Sequence, residues 1–325
     1  MSFKTREILK ENVLLVAFII YLIILPFAVP YPALATEILI YGMLALTFIL
    51  LLGYVGLLDF GTAAFFAIGA YSMGLLLKFF HIYILLGMFI SVLITTIFAL
   101  AIGFLCLRRG GIYFALLTLA FNEMIFFIIY EWRDLTGGDS GLHHGIRPDL
   151  APFLSLQPEI NFYFFTLIFF VAVFYLLLRL IHSPFGSVLQ AIRENELRTT
   201  VLGYNVDRFK LTAFVLAGAI RGLAGSLFAM YQKFVGIEIA SWVTSGNVII
   251  MSLMGGVGSL FGGIVGATIF IIASDILSAM WERWLLIIGI VFVAVVLFIP
   301  GGVWAGLEIL YNKLRLKSFV EKISS

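Results

Sequence analysis

Long apolar runs, most of them about the twenty residues that a membrane-spanning helix needs, fill this chain and leave only short polar connections. Of the 325 residues, 62% are hydrophobic and 12% are charged, so no stretch has the composition of a sizeable water-soluble domain. In lipid, a chain must satisfy its backbone polar groups internally, and a helix does so within one segment. The sequence therefore predicts an all-α polytopic membrane protein that forms a single integral-membrane domain over residues 1–325.

Polar interruptions divide the apolar sequence into about ten predicted membrane-spanning segments. A cleaved signal peptide, with a small-residue site at 33–35, is a minor alternative for the first of them. Residues 247–277 are too long and too rich in glycine for one regular helix, so two segments are predicted there. The predicted segments are 13–29, 34–52, 63–77, 82–107, 112–130, 162–181, 211–231, two within 247–277, and 284–299.

Two glycine-rich interruptions fall inside apolar sequence, one in each half of the chain. Their glycines are Gly53 and Gly56 in the first and Gly255, Gly256 and Gly258 in the second. Paired interruptions of this kind are typical of transporters whose pathway lies between two structural repeats, here a possible inverted repeat. Close packing of helices is the alternative explanation for the second cluster.

Basic residues fall mostly on one side of this layout. With the N-terminus inside, fourteen of the twenty Lys and Arg residues face the cytoplasm and five face outward. A single span over 247–277 would place the basic tail, 304–325, outside, so the positive-inside rule favours ten segments over nine. Both termini, including this amphipathic tail, are therefore predicted to be cytoplasmic.

Polar residues within the predicted spans and at the first glycine interruption are candidates for a translocation pathway, because lipid burial of such groups is costly. They are Asp59, Thr62, Thr118, Asn122, Glu123, Arg221 and Asn247. Glu123 and Arg221 lie about 18 Å and 15 Å along their predicted helices, at 1.5 Å per residue. We hypothesise that these two side chains pair, and separate partners for each remain an equal alternative. Asp59 either caps the helix that begins near Gly61 or lines the pathway.

The insert at 182–210 concentrates charge between two long apolar runs. Its two-sided charge pattern cannot lie in hydrocarbon, so it must lie in water. A start signal at Ser183-Pro184 and a stop at Gly203 predict a short helix, over 186–200, lying flat beneath the membrane. A solvated linker would explain the charges, but the insert is long for a simple connection.

Motifs for several other classes of protein are missing from the sequence. The single cysteine, Cys106, excludes an intramolecular disulfide, and four scattered histidines make a metal site improbable. The sequence contains no hydrolase elbow, zinc-protease motif or phosphate-binding loop. A transporter without a nucleotide site must use an ion gradient or a partner that hydrolyses ATP. An ion-coupled carrier would need a cation site, for which Asp59 and Glu123 are the candidates.

Several short motifs together resemble the permease subunits of branched-chain amino-acid ABC importers. The similarity runs from Gly53 to Leu307. The motifs that carry it are Gly53-Tyr54-Val55-Gly56-Leu57-Leu58, Gly69-Ala70-Tyr71, Arg109-Gly110-Gly111-Ile112-Tyr113, Leu135-Thr136-Gly137-Gly138, Ser183-Pro184-Phe185-Gly186, Ala191-Ile192-Arg193-Glu194-Asn195-Glu196, Leu202-Gly203-Tyr204, Gly255-Gly256-Val257-Gly258-Ser259 and Pro300-Gly301-Gly302.

This resemblance implies a permease in the cytoplasmic membrane that pairs with a second permease, two ATPase subunits and an external amino-acid-binding protein. It implies that ATP and magnesium bind to the partners, with no cofactor and no enzymatic activity in this chain. It also implies a coupling helix, 191–203, that docks on the ATPase. The residues assigned to that coupling are Arg193, Glu194, Asn195, Glu196, Arg198 and Gly203.

Departures from the family pattern leave the substrate open. Family members commonly carry serine and histidine at the positions of Asp59 and Thr62, a small residue at Arg221 and glutamate near Asn247. Because the related urea importers share the glycine interruptions, a urea or amide permease remains an alternative. A structural subunit whose partner holds the whole pathway is another.

Overall fold

The computed structural model describes residues 18–80, 82–145, 155–299 and 301–306. Helices dominate these residues, which confirms the predicted all-α class. In chain order the elements are α1 (Phe18–Ala28), α2 (Pro32–Phe48), a π-helix (Ile49–Val55), α3 (Thr62–Phe80), α4 (Ile84–Cys106), α5 (Ile112–Glu131), α6 (Arg133–Thr136), a 3-10 turn (Gly138–Ser140), β1 (Leu142–His143), α7 (Glu159–Ile181), α8 (Pro184–Glu194), α9 (Glu196–Val201), α10 (Val206–Gln232), β2 (Phe234–Val235), a 3-10 turn (Ile237–Ala240), α11 (Trp242–Gly255), α12 (Leu260–Met280) and α13 (Trp284–Phe298).

Seven helical segments among the described residues are long and apolar enough to cross a bilayer. Three shorter apolar helices, α1, α11 and α13, lie where the sequence predicted the remaining segments. The predicted division of 247–277 is confirmed, because α11 ends at Gly255 and α12 begins at Leu260. The total of ten crossings stays a prediction, and most of the predicted tail, 307–325, lies outside the described residues.

Helix α10 lies at the centre of the bundle and packs against α2, α3 and α4. Glycines let its backbone approach α3 closely. A β-carbon on Gly69 would lie 2.3 Å from the carbonyl oxygen of Gly222, and one on Gly225 would lie 2.1 Å from that of Phe66. Small residues at such crossings let helices pack where no hydrophobic effect drives them together.

Two helices at the edge of the bundle, α4 and α5, expose large apolar side chains. Phe89 is 65% exposed and Phe127 is 60% exposed. In a bilayer these side chains face lipid or another membrane subunit, since a water-soluble protein would not leave such faces uncovered. The predicted membrane location thus agrees with the outer surface of the bundle as well as with its helix lengths.

A small sheet joins two loops on the side of the bundle opposite the charged insert. Strand β1 pairs antiparallel with β2, so that Leu142 faces Val235 and His143 faces Phe234. Gly141, with φ +67°, leads into β1 in a conformation that favours glycine. Residues 146–154, which follow β1, lie outside the described part of the chain.

The charged insert forms two helices, so the prediction of one helix over 186–200 is wrong. Asn195 separates α8 from α9 because its backbone is extended (φ −159°, ψ 98°). Its side-chain oxygen accepts a hydrogen bond from Arg198 N at 2.9 Å, which caps α9. An asparagine offers the backbone this local bond in place of continued helix. The predicted stop is confirmed, since Gly203 adopts φ +91° just after α9.

Candidate functional site

The first glycine interruption places the start of a helix inside the protein. The α2 segment continues as a π-helix and ends at Gly56, which adopts φ +82°. Residues 57–61 are then non-helical, and α3 begins at Thr62, which is fully buried. The first N–H groups of a helix have no partner within it, so a buried start needs capping groups from elsewhere.

Side chains from two other helices supply those caps. Asn122 of α5 accepts from Ala64 N at 2.8 Å and donates to the carbonyl oxygen of Ala240 at 3.0 Å. Ser245 of α11 accepts from Ala63 N at 2.9 Å. Each of these buried polar groups therefore has a structural use, which binds the start of α3 to α5 and α11.

Thr118, another predicted pathway residue, has a similar role. Its hydroxyl accepts from Phe60 N at 3.1 Å and donates to the carbonyl oxygen of Ala115 at 2.9 Å. The side chain is almost fully buried. Thr118 thus positions the non-helical segment that precedes α3.

Asp59 and Arg221 form an ion pair in which both side chains are fully buried. The hypothesis that Arg221 pairs with Glu123 is therefore wrong, because the ion pair that Arg221 forms among the described residues is with Asp59. Arg221 lies about 22 Å along α10 from Val206, at 1.5 Å per residue. Depth along a helix gives no information on which face a side chain occupies, and Asp59 reaches Arg221 from a non-helical segment whose position the sequence did not predict.

Further contacts fix both members of this pair. The second carboxylate oxygen of Asp59 accepts from Gly61 N at 2.8 Å, so Asp59 caps the chain just before α3 as well as neutralising Arg221. Arg221 donates from Nε to the hydroxyl of Thr47 at 3.0 Å, and its guanidinium lies 5.9 Å from the ring centre of Phe65. Arg221 Nη2 is buried without a hydrogen-bond partner among the described residues.

The other predicted pathway residues differ in their burial and in their hydrogen bonding. Glu123 is half-buried, and its Oε1 is buried without a hydrogen-bond partner in the described part of the chain. The Thr62 hydroxyl is likewise buried and unpartnered there. Asn247 is half-buried on α11. Sequence reasoning missed Thr47, although a hydroxyl residue inside a predicted span is the kind of signal that selected Thr118. It also missed Ser245, which lies just before the predicted spans of 247–277.

The second interruption is held by backbone contacts. A β-carbon on Gly255 would lie 1.8 Å from the carbonyl oxygen of Gly262, and one on Gly256, which has φ +110°, would lie 2.1 Å from that of Gly301. A β-carbon on Gly258 would meet no described residue within 4 Å. Packing therefore requires glycine at 255 and 256 and leaves space at 258.

The charged insert lies against both interruptions. Arg193 of α8 donates from Nη1 to the carbonyl oxygen of Gly53. A cavity of about 450 Å³ adjoins this bond. The residues that line it are Gly53, Tyr54, Gln190, Arg193, Glu194 and Gly258.

The remaining coupling candidates divide into paired and unpaired residues. Glu196 forms an ion pair with Lys210 of α10 at 2.6 Å. Glu194 and Arg198 are exposed and form no ion pair within the described residues. Three apolar side chains of this region are also strongly exposed, namely Leu197 (76%), Val201 (80%) and Leu202 (69%).

Metal binding finds no geometric support in the parts of the chain that the structure covers. Within residues 18–80, 82–145, 155–299 and 301–306, no three His, Cys, Asp or Glu side chains are grouped so as to hold an ion.

Comparison with known proteins identifies one family over most of the chain. The profile described as the permease component of the branched-chain amino acid transport system matches residues 31–296. The high-affinity branched-chain amino acid transport system permease protein LivM of Escherichia coli is 30% identical over 96% of this chain and 79% of its own length. The protein of the same name from Salmonella typhimurium is 28% identical over 95% of this chain and 78% of its own length. No solved structure matches the chain.

Proposed function

Since this chain belongs to the family of branched-chain amino acid transport permease components, a family of ABC importer subunits, we propose that it carries branched-chain amino acids inward across the cytoplasmic membrane. In this proposal the chain works with a second permease, two ATPase subunits and an external binding protein. ATP and magnesium bind to the ATPases, and this chain binds no cofactor and performs no chemistry. Both of its termini lie in the cytoplasm.

The observation that carries the ATP-driven assignment is the surface of the charged insert. Leu197, Val201 and Leu202 are exposed on and beside α9, although the insert must lie in water. Exposed apolar side chains surrounded by charged ones are the composition of a protein interface with a polar rim. The proposed occupant is an ATPase subunit, whose movement would reach the membrane through α8 and α9.

The pathway in this proposal passes the start of α3. Helix starts that lie inside a membrane bundle offer partial positive charge to a carboxylate, which an amino-acid substrate carries. Glu123 is a candidate partner for the substrate ammonium group, because one of its oxygens is buried and unpartnered among the described residues. Asp59 and Arg221 are already paired, so they support the pathway wall and do not bind substrate directly.

Transport by the reconstituted complex tests the proposal against its alternatives. The complete complex, with its binding protein outside the vesicles and ATP inside, should accumulate radiolabelled leucine and not radiolabelled urea. Uptake of urea would favour the amide alternative. Leucine uptake by this chain alone, driven by a sodium or proton gradient without ATP, would favour an ion-coupled carrier.

Substitution on the insert tests the docking surface. Val201→Asp places a charge at the centre of the exposed apolar group and should abolish copurification of the ATPase. Asp207→Asn, on the same insert and also exposed, is the matched control and should copurify as the wild type does. Retention of the ATPase by Val201→Asp would contradict this placement of the interface.

A further inference from the structure

Arg193 is an exposed residue of α8, but part of its side chain lies against the first glycine interruption of the permease. Its guanidinium donates to the carbonyl oxygen of Gly53, in the last turn of the π-helix. The final carbonyl groups of a helix lack partners within it and carry partial negative charge. A guanidinium can satisfy such a carbonyl group and offset its partial negative charge, since it is always charged and its donors are held in a rigid plane.

The same contact lies where the two glycine interruptions meet. A β-carbon on Gly53 would lie 2.3 Å from the carbonyl oxygen of Val257, so the first interruption touches the second. Gly56 lies directly beneath the aliphatic part of Arg193, because a β-carbon there would lie 3.2 Å from Arg193 Cγ. Movement of α8 would therefore act on both interruptions at one point.

The adjoining cavity gives α8 space in which to move. It lies beside the bond from Arg193 to Gly53 and is lined by Gln190 and Glu194 of α8 and by Gly258 of the second interruption. Among the described residues, Gly258 has no neighbour within 4 Å of a β-carbon position, so packing does not close the cavity there. A joint that is open beside its hydrogen bond can shift without breaking the core.

We propose that Arg193 is a positioning residue that transmits movement of the insert to the joined interruptions, and that it does not contact the ATPase. This inference rests on the proposed function. Because Gly53 lies in the last turn of the π-helix that leads to Asp59 and α3, a displacement at its carbonyl oxygen changes the position of the buried helix start. Arg193 would then link ATP hydrolysis outside the membrane to the pathway within it.

Arg193→Gln in the reconstituted complex tests the inference. The variant removes the charge and the planar pair of donors, and we expect leucine transported per ATP hydrolysed to fall about tenfold, the equivalent of one charge-assisted hydrogen bond. The amount of assembled complex and its ATPase rate should remain within twofold of the wild type. Arg208→Gln is the matched control, since Arg208 is exposed on the same insert and its guanidinium makes no hydrogen bond within the described residues.

Two outcomes of that experiment would overturn the inference. The first is wild-type transport per ATP in Arg193→Gln. The second is a parallel fall in assembled complex, ATPase rate and transport, which would make Arg193 a structural residue only. If the wild-type complex failed to transport leucine at all, the proposed function would be wrong, and the link itself would be judged by a second measurement.

Hydrogen exchange of the whole chain in lipid nanodiscs provides that measurement. In Arg193→Gln, loss of the bond to Gly53 should speed exchange of the backbone amides of 54–57 about tenfold. This factor again corresponds to the free energy of one charge-assisted hydrogen bond. Arg208→Gln should leave these amides unchanged. Equal exchange in the wild type and Arg193→Gln would overturn the inference whatever the complex transports.

Discussion

Asp59 and Arg221 join the non-helical segment before α3 to the middle of α10 through an ion pair from which water is fully excluded. The pair also reaches α2, since Arg221 donates to Thr47, and the start of α3, since Asp59 accepts from Gly61 N. Both residues depart from the family pattern, in which serine is common at position 59 and a small residue at position 221. Their direct bond explains why the two departures occur together in one chain.

Removal of one member of the pair should destabilise the protein more than removal of both. Asp59→Ser leaves a buried guanidinium and Arg221→Ala leaves a buried carboxylate, and each should cost about 3–5 kcal/mol. The double variant restores neutrality at this site and should recover most of that loss. Unfolding in detergent, followed by Trp fluorescence against denaturant, measures the free energies of the four proteins.

Glu123→Gln is the control for these variants. If Glu123 paired with Arg221, this substitution would also cause a large loss of stability. Glu123→Gln removes a charge that Arg221 does not contact, so its free energy of unfolding should stay within about 0.5 kcal/mol of the wild type. A double variant Asp59→Ser/Arg221→Ala whose loss equals the sum of the single losses would contradict the direct pairing.

The start of α3 should weaken when its caps are removed. Ser245→Ala leaves Ala63 N without its acceptor and should lower the free energy of unfolding by about 1 kcal/mol. Asn122→Leu removes an acceptor and a donor, so its loss should be larger, about 2–3 kcal/mol. Ser274→Ala is the control, because among the described residues its hydroxyl bonds only the carbonyl oxygen of Ile271 on its own helix. Equal losses in Ser245→Ala and Ser274→Ala would show that the cap contributes nothing.

Much of the helical layout was predictable because membrane burial imposes a length and a hydropathy on every span. The predicted division of 247–277 is an example, since no regular helix accommodates that run of glycines. Side-chain partners were not predictable in the same way. Depth along two predicted helices placed Glu123 near Arg221, whereas the partner, Asp59, depends on how the chain runs through residues 57–61, where no helical period applies.

The candidate site shows the same limit. Glycine content marked both interruptions, but only the three-dimensional contacts separate Gly255, which meets backbone, from Gly258, which meets nothing within 4 Å among the described residues. Charge marked the insert, but it did not show that Arg193 donates to Gly53 whereas Glu196 pairs with Lys210. Each of these details results from tertiary packing that local sequence does not encode.

Alanine substitutions in the second interruption should separate these two kinds of glycine. Gly255→Ala would bring a β-carbon to 1.8 Å from the Gly262 carbonyl oxygen, so α11 and α12 must separate and folded protein should be largely lost. Gly258→Ala is the matched control three residues away and should give a normal yield. Size-exclusion chromatography of detergent extracts measures both. Normal yield of Gly255→Ala would contradict the close approach of the two helices.

The ion pair between Glu196 and Lys210 predicts that Glu196 and Glu194, to which the sequence assigned the same role, behave differently. Lys210 is 7% exposed, whereas the Glu196 side chain is 55% exposed, so solvent screens the pair and its contribution is about 1 kcal/mol or less. Glu196→Gln should therefore loosen α9 against α10 and lower the melting temperature slightly. Glu194→Gln removes no ion pair and should leave it unchanged. Double substitution Glu196→Gln/Lys210→Met should lose no more than Glu196→Gln alone, because the pair has already been broken; additive losses would mean that the two side chains act independently.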